Sequence, residues 1–231
     1  MQAPPKQKGP IGERTMTLKA VPFFTQLNDH ELDVVRSVAS EKTYPKNAVV
    51  LTEGEAGDSL FMIQSGKVKV FIGDEDGREI ILKILSPGSF FGEMSMIDKQ
   101  PRSASVTTLE TSTFLVLQHN AFEKCVEAAP RIAQMVMQVL AQRVREADRK
   151  IGTLALMDVY GRVASTLLEL AVQANGKLIV TEKLSQQELA NMVGASREMV
   201  NRILKDLTDR GCISIESKAI TIINREFPPS L

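Results

Sequence analysis

Two short helices joined by a tight turn are predicted in residues 184–205, and this segment constrains the chain more than any other. Ser185 stands where a helix N-cap is expected, and Glu188 three residues later completes the capping-box pattern. Gly194 falls at the turn, where a positive φ is commonly required, and Ser196 is placed to cap the second helix. Such a unit is typical of domains that insert the second helix into the major groove of DNA.

The second of these helices has one apolar stripe and one charged face. The stripe follows helical spacing and comprises Val200, Ile203, Leu204 and Leu207. The other face comprises Arg197, Glu198, Asn201, Arg202 and Lys205. An arginine can hold guanine O6 and N7 with two hydrogen bonds, and a carboxylate can accept from cytosine N4. We therefore expect Arg197, Glu198 and Arg202 to read bases. The alternative is a charged helix face that is only exposed to solvent, which is the more common case for an isolated charged helix.

A β-hairpin is predicted directly after these helices. Alternating β-branched residues in 212–216 and 219–223 flank a two-residue polar turn, Ser217-Lys218. A helix-turn-helix followed by such a hairpin is a winged helix, and this context favours DNA reading over a solvated helix face. Lys218 at the tip is a candidate phosphate contact, and a solvated lysine is the alternative interpretation.

Composition narrows the function classes. The chain has 231 residues, enough for two domains, and a formal net charge of +0. Because basic and acidic residues are also balanced from Asp158 onward, DNA affinity has to come from a local cluster that a dimer would double. No apolar run is long enough to span a bilayer, and no secretory signal pattern is present. Two distant cysteines, Cys125 and Cys212, build no disulfide framework, so we expect a cytoplasmic protein.

The N-terminal part predicts a flexible tail, a helix and a set of short strands. Residues 1–20 are read as the tail, and Asn28 with Glu31 forms another capping-box pattern that opens a helix. Six short apolar runs follow between glycine-containing turns, at residues 49–51, 60–63, 68–72, 80–85, 104–108 and 113–117. Strands this short and evenly spaced predict a small β-barrel or jelly roll.

A long helix is predicted from Pro130 to about Thr153, after a short capped helix in residues 120–128. Its apolar positions repeat in heptads and comprise Leu140, Val144, Ala147, Ile151 and Leu154. The alternative is a helix that packs only on its own barrel, but charged residues surround this narrow stripe and favour a coiled coil between two chains. Asp158 is a candidate N-cap of the next helix, 159–173, so a hinge is expected near residues 154–158.

Two segments of the predicted barrel suggest a phosphate site. Residues 91–96 follow a strand and predict one helical turn, and Arg102 and Ser103 follow at the start of the next strand. Backbone N–H groups at a helix start, a guanidinium and a hydroxyl suit a phosphate, and Glu93 can hold a ribose hydroxyl. A surface turn with an ion pair is the alternative. A buried arginine needs an anionic partner, which Glu93 would provide when no ligand is bound.

These motifs together resemble the CRP/FNR family of transcription factors, closest to the cyclic AMP receptor branch. The matching segments are 65–68, 91–94, 101–104, 154–163 and 193–200. The resemblance implies an α+β fold: a cyclic-nucleotide-binding β-barrel (jelly roll) in residues 21–130, a dimerisation helix and hinge in 131–156, and a winged helix-turn-helix in 157–231. It implies a homodimer that reads a TGTGA-type inverted repeat in double-stranded DNA and has RNA polymerase as a partner. It implies a regulator and not an enzyme.

The resemblance also assigns site residues. Nucleotide phosphate and ribose would meet Gly92, Glu93, Met94, Arg102, Ser103 and Ala104, and the base would meet Val70, Leu82, Leu85 and Asp148. Base reading falls to Arg197, Glu198 and Arg202. Other DNA contacts fall to Ser185, Gln186, Ser196 and Lys218, with phosphate as the partner of the two serines and the lysine.

Two departures from the family pattern bear on the ligand and on DNA. Adjacent hydroxyl residues that would face adenine are replaced by Ala147 and Asp148. Asp148 can accept from an adenine amine or from guanine, so cyclic AMP is the expected effector and cyclic di-GMP the alternative. Met199 replaces a threonine that touches DNA in many relatives.

Other classes receive less support from the residues. Haem and redox branches of the family need clustered cysteines or an axial histidine, and a metal-dependent cupin-type enzyme needs several ligands in the barrel, but the only histidines are His30 and His119. The alternatives kept are a nucleotide-independent DNA-binding regulator whose barrel is a dimer scaffold, and a nucleotide sensor that never touches DNA.

Overall fold

The computed structural model describes residues 28–174, 176–180, 184–216, 219–224 and 227. The tail predicted for residues 1–20 lies outside them. Two compact units are present, residues 28–72 with 83–140, and residues 73–82 with 141 onward. The domain limits expected at residues 20, 130 and 156 stay predictions. No helix within the described residues combines the length and apolarity needed to cross a membrane.

From residue 28 to residue 156, the structure describes four helices and eight strands. The helices are α1 (Asp29–Val38), α2 (Glu93–Asp98), α3 (His119–Ala128) and α4 (Arg131–Leu156). The strands are β1 (Ser40–Tyr44), β2 (Val49–Leu51), β3 (Ser59–Ser65), β4 (Val68–Gly73), β5 (Glu79–Leu85), β6 (Phe90–Phe91), β7 (Ser105–Thr108) and β8 (Ser112–Gln118). They form two four-stranded sheets, ordered β1-β8-β3-β6 and β2-β7-β4-β5. The expected barrel is therefore a jelly-roll-like pair of sheets, not a closed cylinder.

All six predicted strands are confirmed, together with the α1 capping box, in which Asn28 Oδ1 accepts from the Glu31 backbone N–H at 2.9 Å. Strands β1 and β6 were not predicted. The helix predicted at residue 120 begins at His119, and its N-cap, Gln118, makes no side-chain capping bond.

An aromatic cluster fills the space between the two sheets. The rings of Phe61 and Phe91 stack with centroids 5.2 Å apart, and Phe114 meets Phe91 edge-on at 5.4 Å. A second cluster joins α1, α3 and the first turns of α4 and includes Cys125. Burial raises the pKa of Cys125 to about 11, so this thiol stays protonated at neutral pH and is unsuited to redox chemistry.

The turn between β3 and β4 requires glycine at position 66. Gly66 has φ +86°, and a Cβ there would lie 2.6 Å from the backbone Cα of Ser112. We predict that Gly66→Ala lowers the free energy of unfolding by about 2–5 kcal/mol, because left-handed strain and overpacking add. Denaturant-induced unfolding monitored by circular dichroism measures this change.

Gly77 provides a matched control for that measurement. It also has a positive φ, +77°, but a Cβ at this position would have no atom of the described residues within 4 Å, its chain neighbours aside. Gly77→Ala should therefore cost only the backbone term, about 1–2 kcal/mol. Equal losses for the two variants would contradict the role assigned to the contact with Ser112.

Among its described residues, the C-terminal part has three helices and one four-stranded sheet. Its elements are α5 (Val159–Leu170), β9 (Ala171–Ala174), β10 (Lys177–Val180), α6 (Gln186–Val193), α7 (Arg197–Asp209), β11 (Ile213–Glu216) and β12 (Ala219–Ile222). The sheet order is β11-β12-β10-β9. The predicted wing hairpin is confirmed by the pairing of β11 with β12, whereas Ser217 and Lys218 at its turn lie outside the described residues.

The predicted helix over residues 159–173 is wrong at its C-terminal end. The chain leaves the helix at Leu170, and Ala171–Ala174 pairs antiparallel with Lys177–Val180. Its start is as predicted, because Asp158 Oδ1 accepts from the Gly161 N–H at 2.7 Å.

Helix α4 changes surroundings along its length. Its first turns bury Ile132, Met135 and Val136. Beyond residue 140 it has no buried residue, and the heptad positions Val144 and Ile151 are 60% and 64% exposed. The predicted long helix is confirmed, and it ends at Leu156, three residues later than expected.

Candidate functional site

The guanidinium of Arg102 is the centre of the candidate nucleotide pocket. Strand β6 leads into Gly92, whose left-handed conformation, φ 82°, starts α2. Arg102 is only 6% exposed. Its Nη1 donates to the Gly92 carbonyl at 2.6 Å and to Ser95 Oγ at 3.0 Å, and its Nη2 donates to the Ser59 carbonyl at 3.1 Å. Arg102 is therefore a buried cation whose hydrogen bonds go to neutral oxygen acceptors.

The charge of Arg102 is balanced by two carboxylates. Burial lowers the pKa of Arg102, and the negative charges of Asp58 and Glu93 oppose that shift. Glu93 is itself buried, at 1% exposure. Gly57 permits the arrangement, since a Cβ there would lie 2.1 Å from Arg102 Nε. A phosphate can replace neutral acceptors on such a guanidinium with stronger, charge-assisted hydrogen bonds.

The other residues expected at the nucleotide lie in different surroundings. Ser103 is exposed and donates to Met94 Sδ at 3.5 Å, and Ala104 is half-buried. Val70 is half-buried and packs against the aromatic cluster that contains Leu85. Leu82 is 44% exposed and lies on the opposite face of β5 from Leu85, because side chains alternate along a strand. Asp148, like its neighbour Ala147, is exposed on α4.

The helix-turn-helix is formed by α6 and α7 with the caps that the sequence predicts. Ser185 and Glu188 make the capping box, Gly194 ends α6 with φ 63°, and Ser196 Oγ accepts from the Met199 N–H. The hydroxyl of Ser185 also donates to Glu188 Oε2 at 2.7 Å. Ser185 thus uses its O–H within the cap, and the Ser196 side chain hydrogen-bonds the Glu198 carboxylate.

Helix α7 separates its apolar and polar sides as predicted. All four stripe residues are buried: Val200, Ile203, Leu204 and Leu207. Every residue of the charged face is exposed: Arg197, Glu198, Asn201, Arg202 and Lys205. The pKa of Glu198 is lowered by its own backbone N–H and by Ser196, so its carboxylate is an ionised acceptor at neutral pH. This face can donate to guanine and accept from cytosine.

Two cations that sequence reasoning did not place meet the C-terminal end of α6. Lys150 of α4 donates through Nζ to the Met192 carbonyl, and Arg162 of α5 donates through Nη2 to the Gly194 carbonyl at 3.3 Å. Burial lowers the pKa of Lys150. Carbonyls at a helix C-terminus carry partial negative charge, so these contacts attach the helix-turn-helix to α4 and α5.

Sequence reasoning also missed several partners of the predicted residues. Ser59 contributes only its backbone carbonyl and Gly57 only space, so neither carries a motif, whereas Ser95 accepts from Arg102 through its side-chain Oγ. The contact between Gln186 and Asn201 joins two residues fifteen positions apart, and only the fold brings them together. Within the described residues, no group of three or more His, Cys, Asp or Glu side chains is placed to hold a metal ion.

Comparison with protein-family models matches both parts of the chain. Residues 41–129 match the cyclic nucleotide-binding domain, and residues 161–227 match the Crp-like helix-turn-helix domain. Together the two models cover more than half of the sequence. The first match contains Arg102 with its carbonyl acceptors, and the second contains α6, α7 and the wing.

Individual proteins are similar over most of this chain. The chain is 41% identical over 187 residues to the CRP-like cAMP-activated global transcriptional regulator of Mycobacterium tuberculosis, covering 79% of this chain and 84% of the relative. It is 34% identical over 198 residues to the cyclic AMP receptor protein of Thermus thermophilus, with 86% and 90% covered. Among solved structures, the c-di-GMP responsive global regulator CLP of Xanthomonas campestris superposes with a TM-score of 0.74 at 26% identity, covering 85% of this chain and 100% of CLP.

Proposed function

This chain belongs to the CRP/FNR family of DNA-binding transcription regulators, and we propose that it acts as a homodimer that binds a cyclic nucleotide and reads an inverted repeat of the TGTGA type. The observation that carries the proposal is α7, whose apolar side is wholly buried while Arg197, Glu198 and Arg202 are all exposed. Beside the partly exposed Met199, the free face of this capped helix offers the donors and acceptor that base edges require.

Cyclic AMP is the proposed effector. The relatives from M. tuberculosis and T. thermophilus are described as cAMP-activated or as a cyclic AMP receptor. In this chain Arg102 would hold the cyclic phosphate, Glu93 would accept from the ribose, and Asp148 would accept from the adenine amine. Cyclic di-GMP is the second candidate, since CLP responds to it and a carboxylate at 148 accepts equally well from guanine N1 and N2.

The exposed heptad positions of α4 support a dimer. Apolar residues at 60% and 64% exposure, Val144 and Ile151, are best covered by the same helix of a second copy. Two recognition helices about one helical turn of DNA apart would then read an inverted repeat. Such a regulator would work in the cytoplasm and act on transcription through RNA polymerase.

Control by the nucleotide is proposed to be allosteric. Binding would replace the carbonyl acceptors of Arg102 with phosphate oxygens and would bring a base to Asp148 on α4. Because Lys150 lies on the same helix and holds α6, a shift of α4 would reorient the helix-turn-helix. A coupling of about 1–3 kcal/mol is typical of such switches.

A mobility-shift titration decides between this function and a nucleotide-independent regulator. Operator affinity is measured without nucleotide and with cyclic AMP, cyclic GMP or cyclic di-GMP. We expect one of them to raise the affinity by about 5- to 150-fold. Equal affinity in all four conditions would establish the scaffold alternative, and no preference for any inverted repeat would reject DNA reading.

Glu198→Ala tests the readout directly. Loss of the carboxylate acceptor should relax the preference at one base pair of each half-site by about 1–3 kcal/mol. Selection of bound duplexes from a random library, followed by sequencing, measures the preference. Lys205→Ala is the control, because Lys205 is exposed on the same face but is not one of the proposed base readers, and loss of a charge that acts on the DNA backbone weakens all sequences alike. An unaltered motif for Glu198→Ala would contradict its role.

A further inference from the structure

Gln186 and Asn201 form an amide pair across the helix-turn-helix. Gln186 is the first residue of α6 and Asn201 lies in the second turn of α7, and both are exposed. Gln186 Nε2 donates to Asn201 Oδ1 at 3.0 Å. Asn201 is four residues after Arg197 and three after Glu198, so it shares their helix face. An amide that is already oriented thus stands beside the expected base readers.

We propose that Asn201 is a further base-reading residue and that Gln186 orients its amide, so that Asn201 meets DNA as a hydrogen-bond donor. This inference rests on the proposed DNA reading. Because the Gln186 N–H occupies Asn201 Oδ1, the Nδ2 amino group is the end left for a base, and it makes no hydrogen bond to another described residue. Gln186 is then a positioning residue, not the direct DNA contact expected from the sequence.

The orientation determines which bases are accepted. An amino group donates to guanine O6 and N7 or to thymine O4, whereas adenine offers it only N7 beside the N6 donor, and cytosine N4 is itself a donor. An unrestrained asparagine grips adenine with Oδ1 and Nδ2 together, and the bond from Gln186 competes with that arrangement. The base opposite Asn201 is therefore expected to be guanine or thymine.

Gln186→Glu reverses the orientation without touching Asn201. A carboxylate only accepts, so the Asn201 amide has to turn and donate Nδ2 to Glu, which leaves Oδ1 for the base. The preferred base at that position should change from guanine or thymine to adenine or cytosine. Asn201→Ala should instead relax the preference there by roughly tenfold. Both are measured on the full-length protein by library selection and sequencing, with the effector nucleotide present.

Gln187→Glu is the matched control, because it introduces the same charge one residue away. Gln187 Nε2 donates to Asn191 Oδ1 at 2.8 Å, within α6. This variant should weaken binding to all sequences and leave the motif unchanged. If Gln186→Glu and Asn201→Ala both keep the wild-type motif, the inference is overturned while the proposed function stands. If the wild-type protein itself enriches no motif, the proposed function fails first.

Discussion

Replacing Arg102 with leucine is expected to lower the affinity for the effector nucleotide by about a hundredfold or more. Two hydrogen bonds between a guanidinium and a phosphate contribute about 1.5–3 kcal/mol each, and leucine makes neither. The same change removes the cation that Glu93 and Asp58 face and leaves the acceptors of Gly92 and Ser95 without their donor. Breaking a buried charge pair costs about 3–5 kcal/mol, so the thermal stability should fall as well.

Isothermal titration with cyclic AMP, cyclic GMP and cyclic di-GMP measures the loss, at a temperature where circular dichroism shows the variant folded. Arg78→Leu is the matched control, because that arginine side chain is 77% exposed at the β4–β5 turn and the affinity should not change. Arg102→Lys keeps the charge without the guanidinium fork and should retain part of the binding. Unchanged nucleotide affinity in Arg102→Leu would show that the nucleotide does not bind at Arg102.

Local sequence signals predicted those parts of the fold that local chemistry decides. Ser185, Ser196 and Asp158 cap helices because a short polar side chain satisfies the first free N–H groups wherever a helix begins. The buried stripe of α7 follows from its spacing alone. Such features need no knowledge of the rest of the chain.

Elements that depend on a distant partner were missed. Strand β1, Ser40–Tyr44, is mostly polar and exposed, and it is a strand because it pairs with β8. Residues 171–174, Ala-Val-Gln-Ala, continue a helical pattern in sequence, but they form a strand that pairs with β10. Pairing of this kind overrides local propensity, so the end of α5 was not predictable from its own residues.

The same distinction applies to the candidate nucleotide site. The sequence predicts Arg102 and Glu93 because a charge in a β-rich core needs a partner, and both side chains are buried. Two of the acceptors around Arg102 are backbone carbonyls, and Gly57 provides only space, so these contributions have no side-chain signal. Leu82 and Leu85 were expected at one base pocket, but an odd separation along β5 places them on opposite faces, with Leu85 in the aromatic core.

Ile151→Glu is expected to convert the dimer to a monomer and to lower affinity for an inverted repeat by about 10²–10³-fold. Ile151 is 64% exposed on α4, so a carboxylate there costs the isolated chain little. In a dimer interface between two α4 helices, the same carboxylate would face the equivalent carboxylate of the second chain and would lose its hydration. With the chains apart, each half-site binds alone and the advantage of linked binding disappears.

Sedimentation equilibrium gives the mass of the assembly, and a mobility-shift titration gives the affinity for a full repeat and for a single half-site. Ile223→Glu is the matched control, because Ile223 is 63% exposed but follows β12 and is not part of α4. That variant should stay dimeric. If the Ile151→Glu protein is monomeric but binds a half-site as well as the wild type, Ile151 is needed for dimerisation and not for DNA recognition by α7. If Ile151→Glu is dimeric with full affinity, α4 is not the surface that joins two copies.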